Sequence, residues 1–199
     1  MSFSNLPVIF DPGSSVCRAG LTNEGMSAYF SSVIGRSIDG SPDQVGNLNL
    51  TNHRFPIVQG GRITNWDDME KIIYYAFYNQ MRRVPEEYPF LLTEVALNST
   101  ANREKAGQVL FETISVPALY MANRAAMSLV ASKRESGVVV KSGYDGTSIV
   151  PVYDGKVLTE AIVLSNLSGE KLTAGMAKLL TQRTDLPPIM VDKSIYNHI

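Results

Sequence analysis

The chain has 199 residues, 44% of them hydrophobic, enough for one large domain or two small ones around a sizeable core. Lys and Arg number 18 against 19 Asp and Glu, a net charge of -1, so nothing favours non-specific binding to nucleic acid or to an anionic membrane. A lone Cys17 rules out an internal disulfide and fits a reducing compartment, and with two histidines, His53 and His198, ligands for a structural zinc are lacking.

Three strand-like runs open the chain, Pro7 to Asp11, Ser15 to Leu21 and Ser27 to Val33, and their short connections predict an antiparallel meander. Before them, Met1-Ser2-Phe3-Ser4-Asn5 lacks the basic and apolar regions of a secretory signal. Nowhere does the chain approach the roughly 18 apolar residues of a membrane span, so the default address is cytosolic, ciliary or nuclear.

The turn between the first two runs, Asp11-Pro12-Gly13-Ser14-Ser15, leads to Arg18 and Gly20 and reads as half of a phosphate cradle. Glycine lets backbone N–H groups approach phosphate, the serine hydroxyl adds a donor, Arg18 can neutralise charge and Asp11 could hold a metal through water. The same residues make an ordinary turn, and on the local pattern alone the plain turn is the simpler reading.

From Gly35 to about Arg54 the chain is polar, glycine-rich and weakly patterned, which predicts a loop or a reduced lobe. Thr64-Asn65 then caps a helix whose first turn carries Asp67 and Asp68. Trp66, Met69, Ile72, Ile73, Ala76 and Phe77 recur at helical spacing and predict one buried face, with Asp67 and Lys71 able to pair on the other. Phe90 to Val95 reads as a buried strand, Asn98 to Thr113 as a helix with Ala106, Val109 and Leu110 inward and Glu104 solvated, and Pro117 to Met121 as a short strand. An alanine-rich helix follows from about Asn123 to Ser132.

Gly137 to Tyr153 repeats the opening logic of β-branched strand, glycine turn and second strand, placing Ser142, Gly143, Tyr144 and Asp145 as the other half of the cradle. Asp154-Gly155 predicts a hairpin turn into a strand from Val157 to Leu164, and Ser168 to Gln182 a helix with Leu172, Met176, Leu179 and Leu180 inward. The tail, Thr184 to Ile199, contains Pro187-Pro188 and shows no concluding element. Taken in order these elements predict a mixed α/β lobe and the beginning of a second.

The stretches VIFDPGSSVCRAG, ITNWDDMEKI, PEEYPFLLTE, ANREKAGQVLFETISVPALYMANRAAMSL and GVVVKSGYDGTSIVP, in this order, make the chain resemble the actin family over essentially its whole length. The resemblance implies an actin-like ATPase-domain fold, with ribonuclease-H-like lobes and a nucleotide and divalent cation held between two phosphate loops. On it, residues 1–34 and 55–131 form the first lobe, 35–54 a reduced subdomain, and 132–199 the start of the second lobe. It implies cofactor-binding positions at Asp11, Gly13, Ser14, Ser15, Arg18, Ser142, Gly143, Tyr144 and Asp145. Arg18 stands where actins have lysine.

Three departures fall in that site. Lys141 replaces the aspartate that orders the metal's water shell, and an ammonium repels the ion it should serve. Arg124 aligns with the glutamine that positions the attacking water, and arginine has no acceptor to offer. Ser15 stands for a loop glycine, while Tyr144-Asp145-Gly146 crowds the second turn with an extra carboxylate. The expectation is loss of ATP hydrolysis, no catalytic residue and no metal site, with room for ATP or ADP without the usual cation. A related expectation is that Lys141 pairs with Asp11 across the cleft. The segment from Gly35 to Trp66 is shorter than in actins, and the chain reaches about the middle of the family's length, so an apolar face normally covered by later segments is expected to meet a protein partner.

The expected function is a catalytically silent structural or scaffold subunit of a cytoskeletal or ciliary assembly, with actin or other cytoskeletal proteins as partners and neither nucleic acid nor membrane. Two others stand beside it: a nucleotide-binding ATPase or switch completed by another chain, and a regulator of a filament end. The expected location is the cytoplasm and cytoskeleton, cilium and sperm structures included, ahead of the nucleus.

Overall fold

The computed structural model describes residues 6–36, 43–46 and 53–182. β1 (Val8–Pro12), β2 (Val16–Leu21) and β3 (Gly25–Arg36) form the predicted antiparallel meander. Val8 and Phe10 point into the core while Ile9 between them faces out, the period-two alternation of a strand. β4 (Gln44–Gly46) and β5 (His53–Pro56) both pair with β3, so the zone read as a loop or reduced lobe contains two strands. Backbone pairing to the long β3 specifies them, and no side-chain periodicity announces it. The parts of that zone at 37–42 and 47–52, and the tail from Thr184, lie outside the described residues.

β6 (Val58–Gln59) and β7 (Arg62–Ile63) form a small hairpin, and α1 (Trp66–Tyr74) follows. The Asn65 side chain accepts from the Asp68 N–H, capping the helix. The helix continues in π-helical form over Tyr75–Met81, and Met69, Ile72, Ile73, Ala76 and Phe77 are buried as their spacing predicts. The expected Asp67–Lys71 pair is not made. Lys71 bonds Asp68 at 3.2 Å and Asp43 at 2.7 Å, and Arg36 meets Asp68 at 2.6 Å. Asp68 is 2% exposed, and a buried carboxylate requires partners that the solvated Asp67 does not.

β8 (Phe90–Glu94) runs parallel to β1, and α2 (Thr100–Gln108), capped by Ser99 and extended by a π-helical turn over Val109–Thr113, crosses to the parallel β9 (Leu119–Asn123). The sheet order is β4-β3-β2-β1-β8-β9, with β5 also on β3. Phe90 lies 5.7 Å from Phe10 and 6.0 Å from Phe77, ring centroid to centroid, so the centre of the sheet and the first helix share one core. Each such ring contributes about 1.5–3 kcal/mol through burial. A relay of side-chain amides ties the helix starts together: Trp66 Nε1 donates to Asn102, Asn102 to Asn98, and Asn98 to Glu94.

α3 (Arg124–Ala131), capped by Asn123, leads to a second sheet of β10 (Gly137–Ser142), β11 (Thr147–Tyr153), β12 (Lys156–Val157) and β13 (Val163–Ser165). The strand expected from Val157 to Leu164 is broken by a 3-10 turn at Thr159–Ala161, closed by the Ile162 N–H on the Thr159 carbonyl. Ala125, Leu129, Val150 and Val152 form a small separate core. α4 (Gly169–Thr181), capped by Ser168, follows. Its predicted inward stripe is corrected: Leu172, Met176 and Leu179 are 61%, 54% and 62% exposed. Helical spacing selects a face, and on this helix those three side chains of that face are largely exposed. No helix among them is long and apolar enough to cross a membrane.

Candidate functional site

The two glycine turns face each other across a cleft of about 710 Å³, between the β1–β2 and β10–β11 corners. In the first, the Gly13 N–H donates to the Val16 carbonyl at 3.0 Å, and a Cβ on Gly13 would stand 2.6 Å from that oxygen, so the turn requires glycine. In the second, the Gly143 N–H closes on Gly146 at 2.8 Å, while the carbonyls of Gly143 and Tyr144 accept from Gly169 and Glu170 at the start of α4. Asp11, Gly13, Ser14, Ser15 and Arg18 on one wall and Ser142, Gly143, Tyr144 and Asp145 on the other all line this cleft, so every position expected from the sequence converges there.

Asp11, near the end of β1, has three side-chain partners. Arg124 Nε donates to its Oδ1 at 2.7 Å, the Thr93 hydroxyl donates to the same oxygen, and Arg18 stands 3.9 Å from Oδ2. Burial would raise the carboxyl's pKa, but Arg124, the Thr93 hydroxyl and Lys141 outweigh it and hold the group below its ordinary value. Arg124 is buried, 8% exposed, and its remaining N–H groups donate to the carbonyls of Pro12 and Gly61. The ion pair expected between Lys141 and Asp11 is corrected by this arrangement. Arg124, at the first turn of α3, reaches the carboxylate from inside the lobe, and among the described residues Lys141 has no carboxylate within 4 Å. Partial desolvation and the cations Arg124 and Arg18 together hold the Lys141 ammonium below the usual lysine range, against the pull of Asp11.

The β6–β7 hairpin, absent from the sequence expectations, bridges both walls. The Gly60 N–H donates to Asp145 Oδ2 at 2.7 Å, the Gly61 N–H donates to Ser14 Oγ at 3.2 Å, and the Gly61 carbonyl accepts from Arg124 at 3.3 Å. Arg62 anchors the hairpin on the Leu97 carbonyl at 2.9 Å. Gly60-Gly61 between Val58-Gln59 and Arg62-Ile63 is a recognisable hairpin signal, and Thr93 carries none.

A family model described as Actin matches residues 4–198. The chain belongs to the actin family. Its mixed sheet and the opposed turns agree with an actin-like fold. The divalent cation implied by that family does not fit the residues of this actin-family cleft. Asp11 already shares both oxygens with two arginines and a threonine, Asp145 accepts from a backbone N–H, and Lys141 adds an ammonium to the lining of the same cleft.

Proposed function

We propose that this actin-family chain is a catalytically silent structural or scaffold subunit of a cytoskeletal assembly, with ciliary structures among the candidates. The observation that carries this reading is Arg124, a buried guanidinium bonded to Asp11, Thr93, Pro12 and Gly61 where the resemblance places the water-positioning glutamine. Five donors and no acceptor can neither take a proton from water nor present a carbonyl to it. The protein's own groups hold the two loops together through the Gly60-Gly61 hairpin, which suits a part kept for its shape. Lys141 argues against a metal cofactor as well. The exposed stripe of α4, together with Val138 and Val140 on the edge strand β10, 65% and 64% exposed, supports a protein partner.

Phosphate release from Mg-ATP by the full chain tests the reading. The expected rate is that of buffer alone, and turnover comparable to actin overturns it.

A second reading, a nucleotide-binding switch completed by another chain, is favoured by the cleft itself, since both turns line a cavity of a size common for small ligands. Nucleotide bound between the loops only when a partner chain is present would establish it.

A further inference from the structure

Gly137 to Tyr153 repeats the strand, turn and strand of Val8 to Leu21, but the two units are sealed differently. In the first sheet β1 has β2 on one side and β8 on the other, whereas β10 has β11 alone and stands at the edge of its sheet. Among the described residues nothing bonds the outward backbone N–H and C=O groups of Gly137 to Ser142. Edge strands are ordinarily kept from pairing by shortness, a proline, a bulge or a charge. β12, at the far end of the same sheet, is two residues long. β10 instead keeps unbroken register with β11 over six residues, and its first four, Gly137-Val138-Val139-Val140, carry neither proline nor charge. The pleat sets Val138 and Val140 on one face with Tyr153 and Val163, all more than half exposed, while Val139 turns to the small core under α3.

We propose that β10 pairs antiparallel with β10 of a second copy of this chain, joining two four-stranded sheets into one across a two-fold axis. The strand is complementary to itself. A two-fold axis perpendicular to the sheet keeps each face on its own side, so it must pass through the level of one residue, and side-chain pattern selects which. Centred on Val139, it sets Val138 opposite Val140 of the second copy and Val140 opposite its Val138, gathering the four exposed valines into one cluster. The same register puts Lys141 opposite Gly137, so no like charges meet, whereas an axis through Lys141 would oppose two ammonium groups. Area fixes the strength. One strand pair with its valines covers well under the roughly 800 Å² per partner of a standard interface, which places the dimer in the weak, concentration-dependent class. This deepens the structural-subunit reading, on which it rests for the premise that the exposed strand is a contact surface, by naming a second copy as the occupant.

Sedimentation velocity of the full chain between about 1 and 200 μM tests it, with a monomer–dimer midpoint expected on the order of 10–100 μM. Two double variants carry the register: Val138→Lys with Val140→Lys, and Val138→Glu with Val140→Glu. Each alone sets like charges opposite one another across the axis and should raise the dimer Kd at least about tenfold. An equimolar mixture of the two sets opposite charges face to face and should restore the dimer, a rescue that misfolded variants could not give. A chain that stays monomeric throughout overturns the proposal, as does open-ended polymerisation, since a two-fold contact closes on itself. Dimers that both variants keep, or that mixing fails to restore, overturn it as well, and so does a dimer abolished by Met176→Glu on α4 while the β10 variants retain it. Phosphate release from Mg-ATP on the same samples separates the two readings: a monomer without turnover removes the strand pair and leaves the silent subunit, and a dimer with turnover does the reverse.

Discussion

At Asp11 the competition between burial and nearby positive charge is settled in favour of charge. The carboxyl lies below its ordinary value of 3.8 because Arg124, the Thr93 hydroxyl and Lys141 outweigh the desolvation that would raise it. A group whose folded pKa is depressed contributes stability that is present above its unfolded value and lost as the pH falls through the folded one. Urea unfolding of the full chain should therefore show this contribution intact at neutral pH and draining away below about pH 4. Arg124→Gln leaves the carboxylate buried against fewer partners, and breaking such a pair costs about 3 kcal/mol at neutral pH. Desolvation then pushes the carboxyl upward, so the deficit should shrink as the pH is lowered through its raised value. A deficit independent of pH would contradict the assigned pairing. Cys17 is the opposite case, a group without a strong charge to rescue its ionised form. Fully buried and 3.1 Å from Ser32 Oγ, its thiol is pushed up to about 12 by desolvation, only partly offset by the serine. An aromatic disulfide reagent should leave native protein unmodified and label it at the rate of unfolding in urea. Prompt labelling of native protein would mean that β2 opens locally.

Among the elements, the β6–β7 hairpin carries the most consequence for its size. Gly60 and Gly61 have φ of 55° and 74°, in the region that side chains enter at a cost of about 1–2 kcal/mol. Their surroundings differ. A Cβ on Gly60 meets nothing within 4 Å, whereas one on Gly61 would stand 2.4 Å from Val95 Cγ1 and 3.2 Å from an Arg124 nitrogen. Gly60→Ala should thus cost the backbone strain alone, about 1 kcal/mol, and Gly61→Ala clearly more, because a β-branched neighbour has little freedom to retreat. Equal midpoints for the two variants in urea unfolding would remove the hairpin from its place against Arg124. Local signals account for what could be read at this scale. The caps at Asn65 and Asn123 and the alternation in β1 are properties of a few consecutive residues, and they are legible for that reason. β4 and β5 exist through pairing with β3, and Arg124 finds Asp11 from 113 positions away, relations that no window of sequence contains.

For the whole molecule, the seven-stranded sheet and the sheet that begins at β10 rest on cores of very different size. The first gathers Phe10, Phe77, Phe90, Leu110 and Ile114 with the other buried apolar residues of β1 to β9, and the second gathers Ala125, Leu129, Val150 and Val152. The sequence made both sheets visible as strand, turn and strand, and the actin-like order of motifs joined them. It misjudged the environment of α4, because a helical stripe specifies a face and leaves open what that face meets. Exposure of Leu172, Met176 and Leu179 leaves the second sheet with little apolar burial to resist opening. Local stability follows buried contacts, and regions of low burial open without the rest of the chain. Hydrogen exchange on the full chain should then be slowest for amides of β1 and β8, from Val8 to Phe10 and from Phe90 to Leu92, and faster by orders of magnitude for β10 to β13. Leu110→Ala, which empties a fully buried position in the first core at a cost of about 3 kcal/mol, should speed exchange in β1 and β8 far more than in β10 to β13, whose amides already exchange through local opening. If instead every strand exchanged at one rate, and that rate rose uniformly in the variant, the two sheets would form a single cooperative unit and the small second core would have to be strengthened by contacts across the cleft.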